Sequence, residues 1–182
     1  MKHFKTLTII CLSLLFTTVG QAQTTNTSDN SEKKTYKNEK YRFSVIVPEK
    51  WKLYGQILDD PKQHKAIADW GLPSIYSEIE KTDIENSVSI TAYHKTDIRS
   101  VQELIAAEYF KINPVETALE VDSTCTNCRI IYHTQNGLEF KGKSYFVYKN
   151  EIGYVITFMA TPGTYEKNLK PFEEFYLNVK YL

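Results

Sequence analysis

Apolar and polar residues alternate through much of this chain, and this pattern predicts strands. The clearest run opens the folded region, where Phe43, Val45 and Val47 alternate with mostly polar neighbours. Its β-branched and aromatic residues favour a strand with one well-buried face. Pro48 ends this strand because proline has no N–H to donate to a ladder, and Trp51 beyond it is large enough to close one end of a core.

Three further strand patterns follow one another near the C terminus, over Arg129–Thr134, Leu138–Tyr148 and Gly153–Thr161. Asn136-Gly137 separates the first two and is the strongest short hairpin signal available. Asn150-Glu151-Ile152-Gly153 separates the second from the third. Phenylalanine and tyrosine dominate these strands, so we expect this meander to form the aromatic centre of the sheet.

The strand patterns between these two regions are shorter. Lys52–Leu58 alternates well enough to be a strand that pairs back on the opening one. Ser74–Lys81 and Ser87–His94 then predict a hairpin with the acidic, turn-like segment Thr82–Asn86 as its loop.

Two helices are predicted before the meander. Asp60-Pro61 is typical of a cap followed by the first helical position, and it predicts a short helix that ends near Trp70. Ser100-Val101-Gln102-Glu103 has the form of a capping box. Apolar residues continue from it at helical spacing as far as Ile112, where Asn113-Pro114 ends the run.

A last helix is predicted over Tyr165–Val179, after the turn Pro162-Gly163-Thr164. Pro171 lies inside it and is expected to kink or restart it. The predicted buried side consists of Leu169, Phe172, Phe175 and Tyr176.

These elements together predict an α+β fold in which a mainly antiparallel sheet is flanked by helices. Strands pair with near neighbours, helices number two or three, and no alternation of strand and helix suggests a parallel sheet. About 150 residues can bury one sizeable core, so we expect a single domain over residues 36–182.

The N-terminal region has the form of a secretory signal peptide over residues 1–22. Two lysines precede the uncharged apolar stretch Leu7–Val19, and Gly20-Gln21-Ala22 is a small-x-small cleavage site. The stretch is shorter than the roughly 18 residues of a membrane span, so we expect cleavage near Ala22 and a secreted or periplasmic protein with no stable membrane span. Residues 23–35 are polar and charged and are expected to be a disordered linker.

Charge argues against nucleic acid as a partner. The chain has 22 basic and 22 acidic residues, and removing the two signal-peptide lysines leaves 20 basic against 22 acidic. Binding to a phosphate backbone needs clustered lysine and arginine, whereas the lysines here are scattered among acidic residues.

The order of features resembles the PsbP-like family. The residues that carry the resemblance are the opening Tyr-x-Phe-Ser-Val-Ile-Val-Pro-x-x-Trp of 41–51, the capped helix, the aromatic meander and the closing helix. It covers about Tyr36 to Leu182. The resemblance implies an α/β/α sandwich and a non-catalytic accessory or binding module, and it brings no catalytic residues onto this chain. Fold does not imply function, so a photosynthetic role does not follow.

Cys125-Thr126-Asn127-Cys128 is the sharpest local chemical feature. In an oxidising compartment this spacing favours a structural disulfide, a local staple that stabilises by roughly 2 kcal/mol. A thiol-oxidoreductase site is the alternative, although Cys128 runs into a strand pattern instead of opening a helix. Arg129 beside it would favour a thiolate.

Metal binding is a third interpretation of the same pair, with His133 as a further ligand. A structural zinc needs four ligands, and the mature chain adds only His64 and His94 to these three. We expect no metal and no cofactor. His94 and His133 would have to be neighbours across the sheet to form a site.

Hydrolase and phosphate-binding motifs are absent from the sequence: it has no Gly-x-Ser-x-Gly, no Gly-rich phosphate loop and no His-Glu-x-x-His. Its 13 tyrosines suit protein contacts as well as a core. The sequence therefore predicts a secreted, non-enzymatic binding module that docks on another envelope or exported protein. The alternatives are a thiol-disulfide exchange protein and an exported inhibitor or immunity-type protein.

Overall fold

A computed structural model describes residues 34–94 and 97–182, and within these ranges the chain forms twelve strands and two helices. The strands of the first half are β1 (Lys34–Asn38), β2 (Phe43–Val47), β3 (Lys52–Asp60), β4 (Lys65–Gly71), β5 (Ile75–Ser77), β6 (Thr82–Ile84) and β7 (Ser87–Tyr93). The second half adds β8 (Thr117–Val121), β9 (Cys128–Gln135), β10 (Leu138–Lys149), β11 (Ile152–Ala160) and β12 (Lys180–Tyr181). The helices are α1 (Val101–Tyr109) and α2 (Pro162–Leu177).

Seven antiparallel strands form the main sheet in the order β3-β4-β7-β11-β10-β9-β8. The predicted meander is confirmed as β9, β10 and β11, which pair in sequence order. Both of its tight turns use residues with positive φ, Asn136 and Gly137 in the first and Asn150 and Glu151 in the second. This left-handed backbone matches the twist of the strands that each turn joins. The predicted α+β architecture is therefore confirmed.

The predicted helix from Asp60 to Trp70 is wrong, because this segment is the turn and second strand of the β3–β4 hairpin. The Asp60 carboxylate accepts from the N–H groups of Lys62 and Gln63, as a helix cap would, but it closes a tight turn instead. The following residues alternate, with Ala68 and Trp70 buried on one face. Because every second residue of the segment is buried against the rest of the sheet, the segment forms a strand and not a helix.

Two predicted pairings are also wrong. The segments 74–81 and 87–94 do not form one hairpin: β5 pairs with β6 in a small sheet of its own, and β7 lies between β4 and β11. The opening strand β2 does not pair with β3 but with β1 and β12 in a three-stranded sheet.

One face of the main sheet carries the principal core. Helix α2 and the three-stranded sheet cover it with Phe172, Phe175 and Phe43, which are buried among the inward residues of β4, β7 and β11. Trp51 stacks on Phe175 with ring centroids 5.0 Å apart, as expected of a residue that closes one end of the core. Helix α2 continues through Pro171 without a restart.

The opposite face carries a second, smaller core under α1. Leu104 and Ile105 of the helix pack against Phe146 and Val155 of the sheet. The predicted cap is confirmed, since the Ser100 hydroxyl accepts from the N–H of Glu103 at 3.1 Å. The helix ends at Tyr109, one turn before the predicted end. The two helices therefore lie on opposite faces of the sheet.

The domain begins slightly before its predicted start, because β1 includes Lys34 and Thr35 of the expected linker. The predicted signal peptide and the rest of the expected linker, residues 1–33, lie outside the described residues. Within the part of the chain that the structure describes, neither helix has the length and apolar character needed to cross a membrane.

Candidate functional site

Cys125 and Cys128 form a disulfide that closes the turn leading into β9, with their Cα atoms 5.5 Å apart. Cys128 is fully buried as the first residue of the strand, and Cys125 is half-buried. No helix begins at this pair, so no helix N-terminus is available to lower a thiol pKa. Arg129 is not placed to stabilise a thiolate either, since its Nη1 donates to the carbonyl oxygens of Cys128 and Thr126 at 2.6 and 3.3 Å.

Asp122 shapes the turn that holds the disulfide. Its Oδ1 accepts from the N–H of Thr124 at 2.9 Å and from the Thr124 hydroxyl at 2.6 Å. The N–H of Cys125 then donates to the Asp122 carbonyl at 3.2 Å. The Asp122 carboxylate accepts hydrogen bonds that a backbone carbonyl would otherwise have to accept, and this allows the chain to turn sharply here.

The other carboxylate oxygen of Asp122 belongs to a buried charge cluster around Lys143. The Lys143 Nζ lies 3.2 Å from Asp122 Oδ2 and 3.0 Å from Glu173 Oε1 on α2. The side chains of Lys143 and Asp122 are 7% and 10% exposed, and that of Glu173 is 40% exposed. The cluster therefore joins the disulfide turn, the sheet and α2 through one cation.

Electrostatics keep this cluster ionised. Burial by itself lowers the pKa of Lys143, but hydrogen bonds to Glu173, Tyr145 and Asp122 outweigh it and hold the pKa above its usual value. The pKa of Asp122 is lowered, first by the hydrogen bonds from Thr124 and then by Lys143. A lysine in this state is a fixed cation, so the cluster fits a structural role better than nucleophilic chemistry.

A groove of about 410 Å³ lies beside the disulfide, at the place where β9 stops covering β10. The last pair in the register is Tyr145 with Cys128, and the N–H of Phe146 adds one bond, to Asn127 O at 2.8 Å. Strand β10 continues to Lys149. Alternate residues of a strand bond to the same side, so the N–H and C=O of Tyr148 point to this uncovered edge.

The walls of the groove are largely aromatic and aliphatic. Tyr145 stacks on Tyr176 of α2 with ring centroids 3.8 Å apart and a 6° angle between the rings. Val101 at the start of α1, Val147 and Tyr148 also line it. The disulfide turn supplies the remaining wall through Cys125, Thr126 and Asn127. Of the two sequence-predicted cysteines, Cys125 thus borders a recess that the sequence did not reveal.

The histidines considered as metal ligands do not meet the cysteines. His133 lies on the same strand as Cys128 but five residues farther along, where its Nδ1 is 2.8 Å from the Thr117 hydroxyl. His94 lies just beyond β7, and two strands separate β7 from β9. Residues 34–94 and 97–182 contain no group of three or more cysteine, histidine or acidic side chains placed to hold a metal ion.

Strand β3 is a second surface of interest, because it is an edge of the main sheet and carries exposed apolar side chains. Leu53, Tyr54, Ile57 and Leu58 are 38%, 55%, 42% and 50% exposed. One outward carbonyl of this edge is occupied, since the Asn38 amide donates to Leu58 O at 3.0 Å.

Sequence reasoning missed the lysine cluster and the groove. Lys143 occupies a position that points toward the core in the alternation of β10, and a lysine there is the one signal that could have indicated a buried ion pair. The groove had no signal at all, because it depends on where β9 ends relative to β10.

Comparisons with known proteins identify neither a family nor a function for this chain. No family model and no curated protein matches the chain. A crystal structure from Bacteroides thetaiotaomicron is similar with a TM-score of 0.46 and 13% identity over 82% of this chain, which spans only 48% of that one. The solution structure of a cyanobacterial PsbP, CyanoP, from Synechocystis has a TM-score of 0.45 and 9% identity, covering 82% of this chain and 92% of that one. Neither similarity assigns a function.

Proposed function

We propose that this chain is an exported, PsbP-like, non-enzymatic module that binds another envelope or exported protein, and that the groove beside Cys125–Cys128 holds an extended segment of that partner. The observation that carries the proposal is the uncovered edge of β10 at Tyr148, which lies in a groove with aromatic walls. The secretory signal pattern and the opening motif of residues 41–51 support the exported, PsbP-like part of it.

Strand addition explains how such a segment would bind. The N–H and C=O of Tyr148 are the next ladder positions after the bond from Phe146 to Asn127. A peptide that enters in line with β9, antiparallel to β10, would pair with both groups. Main-chain hydrogen bonds supply affinity in this mode of recognition, and pockets for alternate side chains supply specificity.

The walls of the groove indicate what the segment must contain. A residue opposite Tyr148 would point toward the α1 side, where Val101 lies, and its neighbours would point toward the Tyr145–Tyr176 pair. Both environments are apolar or aromatic. We therefore expect the bound segment to be short and extended, with apolar or aromatic residues and no requirement for charge.

In the binding proposal, the disulfide only holds one wall of the groove. Thiol-disulfide exchange is the second candidate function, and the position of Cys125 favours it, because this half-buried residue borders the groove and can be reached from it. A substrate thiolate would attack Cys125 Sγ and release Cys128 as the thiolate. A reduction potential within roughly −270 to −120 mV would support exchange, and a more negative value with an intact fold would support a staple.

Selection of linear peptides tests the binding proposal. A phage-displayed library of random peptides is selected on the mature protein, and the affinities of the enriched peptides are measured by calorimetry. Val101→Arg places a long side chain across the groove and should weaken binding by at least about tenfold. Val115→Arg is the matched control, because Val115 is 89% exposed and lies outside the groove lining.

Hydrogen exchange supplies the second measurement. The amide of Tyr148 should exchange quickly in the free protein and become protected when a selected peptide binds. Equal affinity of the two variants, an unchanged Tyr148 amide in the complex, or a selection that yields no groove-dependent peptide would contradict the proposal.

A further inference from the structure

We propose that the edge strand β3 is a self-association surface, where β3 of one copy pairs antiparallel with β3 of a second copy. This site is separate from the groove beside the disulfide. The proposal begins from the distribution of charge along the strand. Lys52 stands at its first position, Asp59 and Asp60 at its last two, and the residues between them carry no charge.

This charge pattern is complementary to itself in one orientation only. Full antiparallel overlap of two nine-residue strands centres on Gln56 and places Lys52 of each copy opposite Asp60 of the other. Parallel overlap would instead place like charges side by side, and this is unfavourable. Two symmetric ion pairs would thus fix the register and orientation of a two-fold contact.

The main chain is arranged for such pairing at the centre of the strand. Leu72 N–H donates to Asn86 O, so even-numbered residues of β4 bond toward β7 and odd-numbered ones toward β3. Ile67 and Asp69 accordingly face Ile57 and Gly55 in the ladder. The N–H and C=O of Gln56 between them point outward, away from the sheet, where Gln56 of a second copy would meet them.

The side chains supply the apolar part of the contact. Leu53, Tyr54, Ile57 and Leu58 are all more than one-third exposed, and pairing of two copies brings both sets together at one seam. Exposed apolar edge strands are common templates for association. A strand pair is smaller than the roughly 800 Å² per partner of a standard stable interface, so we expect a weak dimer.

Two features limit the extent of the ladder. Asn38 already donates to Leu58 O, and the register of β3 is irregular between Leu53 and Gly55 and between Ile57 and Asp60. Bulges of this kind and capped edge groups restrict continued strand addition. The main-chain hydrogen bonds of the contact would therefore be confined to the residues around Gln56, and the side chains of Lys52 and Asp60 would meet beyond the ends of this short ladder.

Sedimentation equilibrium of the mature protein over a wide concentration range tests the proposal. Wild type should show a reversible monomer–dimer equilibrium. Lys52→Glu places carboxylates opposite one another and should raise the dissociation constant roughly ten- to a hundredfold. Equal amounts of Lys52→Glu and Asp60→Lys proteins should associate with each other more strongly than either does with itself. A wild-type protein that stays monomeric at all concentrations would overturn the proposal.

Asp60 also closes the β3–β4 turn, so Asp60→Lys could unfold the hairpin, and a cross-link provides an independent test. Gln56→Cys places one thiol per copy on the two-fold axis and should form an intermolecular disulfide under mild oxidation. Lys62→Cys is the control, an exposed residue in the turn beyond the strand. Equal cross-linking at the two positions would contradict pairing centred on Gln56.

Discussion

Lys143→Met should destabilise the domain more than its change in volume suggests, because it removes the shared cation of a buried charge cluster. Methionine fills nearly the same space as the lysine stem, so little cavity energy is involved. The variant leaves the Asp122 carboxylate in place, and its side chain is only 10% exposed. Thr124 still donates to Asp122 but carries no charge.

The expected loss follows from how the two partners are buried. Removing one member of a buried ion pair costs about 3 to 5 kcal/mol because it leaves an uncompensated charge. Glu173 is 40% exposed and can be rehydrated, so the lower end applies and we expect about 3 kcal/mol. For a domain of this size that corresponds to a melting temperature lower by about 6 to 12 °C.

Lys141→Met is the matched control. Lys141 lies two positions earlier on the same strand, and its 3.5 Å pair is with Glu166, whose side chain is 75% exposed. Exposed pairs of this kind contribute about 0 to 1 kcal/mol. Urea unfolding of both variants and of wild type measures the difference directly.

The difference in free energy of unfolding between wild type and Lys143→Met, called the stability gap below, should also depend on pH. The folded pKa of Asp122 lies below its usual value in the wild type, so the stability from this group is present at neutral pH and lost as pH falls through that pKa. Without Lys143 the pKa rises and this stability is smaller. The gap should therefore narrow as pH falls from 7 toward 3.

A loss below about 1 kcal/mol for Lys143→Met would refute this reasoning, as would a gap that is the same at pH 7 and at pH 3. A double-mutant cycle with Asp122→Asn gives a further check. We expect an interaction free energy above about 1 kcal/mol between the two positions, since they share a direct contact. A value near zero would mean that the ion pair is not the source of the loss.

Two further predictions concern single residues. Glu151→Gly should stabilise the protein by about 0.5 to 1 kcal/mol, because Glu151 has φ 64° and glycine adopts this backbone without a Cβ clash; an unchanged urea midpoint would count against it. Burial raises the pKa of Asp69 to about 6, so the protein loses stability as pH rises from the ordinary carboxyl pKa of about 4 to about 6, and the full loss applies above that pH. Asp69→Asn should therefore stabilise the protein at pH 8 but not at pH 3, as measured by thermal melts; equal effects at both would contradict it.

Local chemistry made several elements predictable from the sequence. Asn136-Gly137 specifies a left-handed two-residue turn whatever the surrounding fold, so the hairpin of β9 and β10 follows from it. Ser100 and Glu103 define the start of α1 in the same way. These signals act within a few residues, where no distant partner competes.

The segment after Asp60 shows where this kind of reasoning stops. Its carboxylate caps two N–H groups, and the same interaction serves a helix start and a hairpin turn equally well. Whether this segment forms a helix or a strand depended on β7, which lies beside β4 in the sheet and follows it by about twenty residues. Burial of Ala68 and Trp70 against that neighbour outweighed the local preference for a helix.

Signals that lie in neighbouring residues were therefore enough to predict the meander, its turns and the start of the capped helix. Three other features depend on the assembled sheet: the partner of each strand, the burial of Lys143 between Asp122 and Glu173, and the uncovered edge at Tyr148. These features join residues far apart in the chain. Their free energy comes from packing and pairing that exist only once the whole sheet has formed, so no local pattern encodes them.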